Sequence, residues 1–246
     1  MKYKAIRYKR KGAIAYILLD FSEDDRLMYE NICTELVNAC EVISQDDSVS
    51  VVVIKISGEK FAVGANETST AICEAIDDVS RLEKIVVAVI DGDAVSEGLE
   101  LALACDIRIA THRSRFALHN VVEGSIPSSG GTQRLPRLIG QAKALELILT
   151  GNMIDAAEAF RIGLVQEVVS SQNIDKETDI LVKKIAAQAP IALRFCKEAV
   201  NKGMDLAFEQ GLRLEADLYF LIQTTSDRME GINAFLEKRP PAFKGE

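Results

Sequence analysis

A chain of 246 residues, 48% hydrophobic and 27% charged, has material for one large domain or a domain with an appendage, built on a sizeable core. Its formal charge of −8 disfavours nucleic acid as a partner and leaves an anionic small molecule only where basic residues gather locally. No apolar run reaches the roughly 18–20 residues that span a bilayer, and no signal-like apolar core follows Met1-Lys2-Tyr3-Lys4, so neither a membrane protein nor a secreted one is expected.

Residues 13–20 alternate and are partly β-branched, which predicts a strand. Ile32, Leu36, Val37, Cys40 and Ile43 recur at helical spacing, predicting a helix over 28–44. The near-continuous apolar run 49–56 predicts a strand buried on both faces, as in a parallel sheet. Ser57-Gly58-Glu59-Lys60 reads as a turn, 61–65 as a short strand, and 70–84 as a helix or irregular connector. Residues 85–90 form a second buried strand, ending in a small-residue turn before a helix. Short strands are expected at 107–111 and 115–118, around His112-Arg113-Ser114. Beyond them 141–149, 155–161, 173–188, 190–201, 205–224 and 226–237 read as helices, with 164–169 the one strand among them. This order predicts an α/β core over 1–189 and a helical region over 190–246, starting near Ala189-Pro190.

The five cysteines (Cys33, Cys40, Cys73, Cys105, Cys196) are odd in number and form no C-x-x-C pair. Reduced, mostly buried thiols of a cytoplasmic protein are expected, with no disulfide frame and no metal site. Cys33 and Cys40, two helical turns apart, are expected to share a buried face.

The chemistry concentrates at Asp91-Gly92-Asp93-Ala94-Val95-Ser96-Glu97-Gly98-Leu99-Glu100. A strand runs through small residues straight into a helix, whose unpaired N–H groups and positive dipole end favour negative charge. Glu97 lies at the helix start and Glu100 three residues on. An anion site with a carboxylate beside it suits carbonyl chemistry that passes through an enolate.

The chain resembles the crotonase (enoyl-CoA hydratase/isomerase) superfamily. The resemblance is carried by Phe61-Ala62-Val63-Gly64-Ala65-Asn66, by Gly98-Leu99-Glu100-Leu101-Ala102-Leu103-Ala104-Cys105-Asp106-Ile107-Arg108, and by Gly124-Ser125-Ile126-Pro127-Ser128-Ser129-Gly130-Gly131-Thr132-Gln133-Arg134-Leu135-Pro136. Leu149-Thr150-Gly151, Gly163-Leu164-Val165 and Glu230-Gly231-Ile232-Asn233-Ala234-Phe235-Leu236-Glu237-Lys238-Arg239-Pro240 agree as well. The match is poor at 22–31 and 67–84. The resemblance implies an α/β spiral of strand-strand-helix units and a helical C-terminal trimerisation region, assembled as a homotrimer or a dimer of trimers. It implies an acyl-CoA thioester as substrate, with coenzyme A part of that substrate and no separate cofactor. Two backbone N–H groups, by position those of Ala65 and Glu97, would hold the thioester oxygen. Ala62, Gly64, Asn66 and Gly98 would line the substrate site, and Phe235 and Lys238 match positions that reach the CoA of a neighbouring subunit.

Hydratases of this family use two glutamates. Glu100 matches the first, but the second position holds Asn120, and an amide cannot take up a proton as a carboxylate does. Glu123 lies three residues later and does not occupy that position. Glu97 stands where the family usually has glycine; a side chain there narrows the backbone's freedom, and its charge would oppose an enolate unless it points away or is protonated. Asn66 replaces the usual acid after the first donor, the lysine usually found soon after is absent, and the connector 66–84 is short. His119 is a base by residue type but, on an alternating strand end, is expected to point away from Asn120. His112 is expected at the surface, and Gly130-Gly131 as close-approach glycines at a helix start. The acidic stretch 22–25 would repel CoA phosphates, leaving Arg26 as a weak candidate. The expected activity is that of a hydratase-like lyase on an enoyl- or dienoyl-CoA. Its alternatives are a crotonase-type isomerase, hydrolase or decarboxylase, or a silent paralogue that binds acyl-CoA.

Overall fold

A computed structural model of the chain describes residues 3–20, 26–61 and 70–246. The chain opens with β1 (Ile6–Lys11), turns at Gly12 (φ +60°), where glycine carries the positive φ without strain, and returns antiparallel as β2 (Ile14–Asp20). After α1 (Arg26–Ser44), β3 (Val51–Phe61) lies parallel to β2. Then α2 (Thr70–Arg81) leads into β4 (Ile85–Val95), parallel to β3. The helix α3 (Glu97–Ala104) follows β4 after one residue, and β5 (Ile107–Thr111) and β6 (Arg115–Ala117) both pair parallel with β4.

Two of these elements depart from the sequence expectation. Nothing predicts β1, because a basic edge strand with one buried residue, Ile6, shows no hydrophobic alternation. The expected turn at 57–60 is instead strand. β3 keeps pairing with β4 through Ser57↔Asp91 and Gly58↔Gly92, then shifts register before Phe61↔Ala94. β4 likewise runs on to Val95 rather than stopping at 90. Ladder hydrogen bonds between neighbouring strands hold these small and polar residues extended against their local propensity. Phe61 closes β3, and the rest of the expected short strand, 62–65, lies outside the described residues.

Further on, α4 (Gly131–Ile139) and α5 (Gln141–Thr150) precede β7 (Ile154–Asp155), α6 (Ala156–Arg161), β8 (Glu167–Val169) and α7 (Ile174–Ala186). The sequence shows where α4 starts but not its length, since Pro136 stands inside it. Among the described residues the strands form one sheet in the order β1-β2-β3-β4-β5-β8, with β6 on β4 and β7 on β6.

β3 explains the run 49–56. Val52, Ile54 and Ile56 enter the larger core with Ile32, Leu36 and Ile43 of α1, Ile76 and Val79 of α2, and Leu99 of α3. The alternate residues Val51 and Val53 join Val87, Val89 and Ile109 in a second core closed by Ile174 and Val182 of α7. Both faces of the strand are dry from Val51 to Ile54, and Lys55 beyond them reaches Asp175 of α7 at 2.5 Å.

The helices α8 (Pro190–Gly203), α9 (Phe208–Ile222) and α10 (Ser226–Glu237) end the chain. Lys197 of α8 ties them to the core, donating to Asp106 Oδ2 at 2.8 Å and to the Lys84 carbonyl at 2.9 Å. Asp106 Oδ2 also accepts from Val86 N at 2.7 Å, so one carboxylate joins the start of β4 to α8.

Candidate active site

The site begins where β4 ends. Ser96, between β4 and α3, has φ +47° and ψ −115°, a conformation that glycine normally supplies in turns of type II′. Its strain, of order 1–3 kcal/mol, is held by neighbours. Ser96 N donates to the Ala117 carbonyl at 2.9 Å, and His119 N donates to Ser96 Oγ at 3.3 Å. The sequence expectation put the backbone restriction at Glu97, but the structure puts it one residue earlier. Glu97 is already helical, a conformation open to any side chain.

Glu97 is 6% exposed, Glu100 is wholly buried, and Gly98 is buried between them. Glu100 Oε1 accepts from Ser129 N at 2.7 Å and Gly131 N at 2.8 Å, at the start of α4. Its Oε2 is buried and has no partner among the described residues. One oxygen is therefore anchored and the other is available for chemistry. Burial raises the Glu100 carboxyl above the ordinary glutamate range. The N–H groups of Gly131 and Ser129, the charge of Arg134 and the N–H of Ser128 pull in the opposite direction without reversing it.

Gly131 makes this contact possible. A Cβ there would lie 3.0 Å from Glu100 Oε1 and 2.9 Å from Pro127 Cβ. Gly131→Ala is therefore expected to push the carboxylate off its two donors and lower kcat by at least about tenfold with little change in KM, since misplacement penalises the transition state most. Steady-state kinetics check this; wild-type kcat would show that Glu100 tolerates the shift.

Asn120 is 6% exposed, in the turn after β6, and its Oδ1 has no partner among the described residues. It therefore offers a dry hydrogen-bond acceptor. Its backbone carbonyl is taken by Ser125 N at 2.8 Å and Glu123 N at 3.1 Å, which fixes the turn. Glu123 is exposed, and His112 is exposed as expected. The His119 ring lies beside Gly151, the residue that caps α5.

The structure thus gathers Glu97, Gly98, Glu100 and Asn120 around the start of α3. Ala62, Gly64, Ala65 and Asn66, and the acidic stretch 22–25, lie outside the described residues, as does the side chain of Arg26. Phe235, 83% exposed on α10, and Lys238, its C-cap at φ +54°, make no described contact with Glu100 or Asn120 within the chain. Two contributors escape sequence reading. Ser129 supplies an N–H to Glu100 and bonds Cys73 Sγ through its hydroxyl at 3.2 Å, and Arg134 holds the Ser129 carbonyl at 2.6 Å. The Gly130-Gly131 pair was their one local signal.

Comparison with known proteins identifies the family. The profile of the family described as Enoyl-CoA hydratase/isomerase matches residues 9–246. Crotonyl-CoA hydratase of Syntrophomonas wolfei is 33% identical over 99% of each chain. The 2,3-dehydroadipyl-CoA hydratase of Escherichia coli is 37% identical over 86% of this chain and 87% of its own. The crystal structure of an enoyl-CoA hydratase from Bacillus anthracis superposes with a TM-score of 0.90 at 35% identity, covering 99% of this chain and 100% of that one. With the match running over nearly its whole length, the chain belongs to the enoyl-CoA hydratase/isomerase family of the crotonase superfamily.

Proposed function

We propose that the protein is a hydratase-like lyase that adds water to an enoyl- or dienoyl-CoA through a thioester enolate. One observation carries this reading: a buried glutamate with one oxygen pinned by two N–H groups and the other unpartnered, at the start of a helix. The N–H groups of Ala65 and Glu97 hold the thioester oxygen, an arrangement in which losing one donor typically costs about 3 kcal/mol. Glu100 activates water, and Asn120 Oδ1 orients water or substrate by accepting from it. Coenzyme A is carried by the substrate, and no separate cofactor is needed.

Residues 190–246 serve as the oligomerisation region of a homotrimer or dimer of trimers, with Phe235 and Lys238 reaching the CoA of a neighbouring subunit. The exposed apolar side chains Val200, Met204, Phe208, Phe220 and Phe235 support burial against another copy. Free cysteines throughout the described residues support a cytoplasmic protein, and no described helix is long and apolar enough to cross a membrane. Asn120 favours one second reading, a double-bond isomerase in which Glu100 alone removes and returns a proton.

A mass-spectrometric panel of short, long and cyclic CoA thioesters separates these outcomes. Hydration adds the mass of water, isomerisation leaves mass unchanged with a new retention time, and hydrolysis or decarboxylation releases CoA or CO2. Thermal protection by acyl-CoA with no product from any thioester would sink the enzymatic reading in favour of a binding protein.

A further inference from the structure

Adding water to a carbon–carbon double bond moves two protons. One leaves the attacking water, and one must reach the α-carbon as the enolate collapses. Glu100 offers a single available oxygen, and Asn120 offers no transferable proton, being an amide. A lone carboxylate would have to carry both transfers in turn; a second acid beside it removes that demand, and α3 carries one. Glu97 precedes Glu100 by three residues, so both side chains leave the same side of the helix. It is almost as buried as Glu100. The bonds from Ser96 to Ala117 and His119 fasten this end of α3 to the very segment that bears Asn120.

We propose that Glu97 is the second carboxyl group of this site and delivers the α-carbon proton that Asn120 cannot. As water attacks, its O–H bond breaks and the proton passes to Glu100 while the oxygen bonds to the β-carbon. The π electrons move onto the thioester oxygen; their return forms the α C–H bond with the proton of Glu97. Glu97 ends ionised and Glu100 protonated, and proton exchange through solvent restores both. The cycle starts with Glu97 carrying a proton and Glu100 ionised. A protonated Glu97 also sets no negative charge against the enolate.

This inference rests on the hydration reading, and its test separates the two. Glu97→Gly and Glu97→Gln are made, with the double variant Glu97→Gly/Asn120→Glu, all checked for wild-type melting and assembly. Each single variant is expected to lower kcat at least about a hundredfold with little change in KM, and the double variant to recover at least about tenfold by relocating the carboxyl. Exchange of the α-protons of a saturated acyl-CoA with D2O, followed by NMR, should fall in parallel in Glu97→Gln. Wild-type turnover in Glu97→Gly would overturn the role of Glu97 and leave hydration standing; an enoyl-CoA panel inert with wild-type protein would overturn both. If glycine or glutamine prevents folding, Glu97→Asp, which keeps the carboxyl, is compared with Glu97→Asn, and equal turnover in that pair would overturn the proposal.

Discussion

Glu100→Gln is expected to lower turnover by at least about a hundredfold, the range for loss of an acid–base group, while acyl-CoA binding survives. The substitution is nearly isosteric. A glutamine oxygen can keep both bonds from Ser129 N and Gly131 N, so what is lost is the basic oxygen at the unpartnered position. Burial sets the sign of two further effects. Because it raises the Glu100 carboxyl in the folded protein, activity that needs the ionised form falls as pH drops through that raised value, above the ordinary glutamate range. The same shift means that the folded state binds a proton the unfolded chain has already lost. Stability from this group is thus fully present below the unfolded value and lost as pH rises through the folded one. Glu100→Gln should accordingly melt higher than wild type at neutral pH, with the gap closing in acid. Kinetics and melting curves across pH measure both. Unchanged turnover would remove Glu100 from the mechanism, and a lower melting temperature at neutral pH would show that its anchoring bonds outweigh its desolvation.

That opposition of stability and activity also shows why some of this site can be read in sequence and some cannot. Glu100, Glu97 and Gly98 are consecutive with a helix start and a preceding apolar strand, so local pattern places them on one element. Asn120 and the Gly130-Gly131 pair are recognisable by spacing within motifs. What sequence does not reveal is which backbone groups meet the carboxylate, since Ser129 N and Gly131 N lie about thirty residues away and are brought in only by the packing of α4 on α3. Ser96 is a similar case. Nothing in a serine announces φ +47°, which arises from the tertiary bonds to Ala117 and His119. In the fold, apolar periodicity reveals α1, the first residues of β3 and β4, and the C-terminal helices. It misses β1 and the far ends of β3 and β4, where ladder hydrogen bonds rather than side-chain burial hold the chain extended.

Arg108→Ala is expected to produce the largest loss of stability among single substitutions remote from substrate, about 4 kcal/mol or more. Arg108 is 2% exposed, and its guanidinium lies among backbone and side-chain oxygens. Nη1 donates to the Cys105 carbonyl at 2.6 Å and the Ala102 carbonyl at 3.3 Å, Nε to the Leu164 carbonyl at 2.8 Å, and Nη2 to Gln166 Oε1 at 3.3 Å. The first two carbonyls end α3, where the dipole is negative, so the cation neutralises the helix end as well as satisfying it. Burial lowers the Arg108 pKa, but guanidinium stays charged throughout the accessible range. Truncation to alanine takes the guanidinium donors from the Cys105 and Leu164 carbonyls and leaves a cavity, each unfavourable on its own. For a chain of this size the loss corresponds to a fall in melting temperature of roughly 10 °C or more. Arg108→Lys tests the cause. Lysine keeps the charge but cannot fork between the α3 end and Leu164, so it should recover part of the stability. Its kcat should remain depressed more than its KM, because α3 positions Glu100 and is pinned by Ser96 at one end and Arg108 at the other. A melting temperature for Arg108→Ala within a few degrees of wild type would show that the loop between α3 and β5 holds its own carbonyls, and that Glu100 is oriented from the Ser96 end and α4 alone.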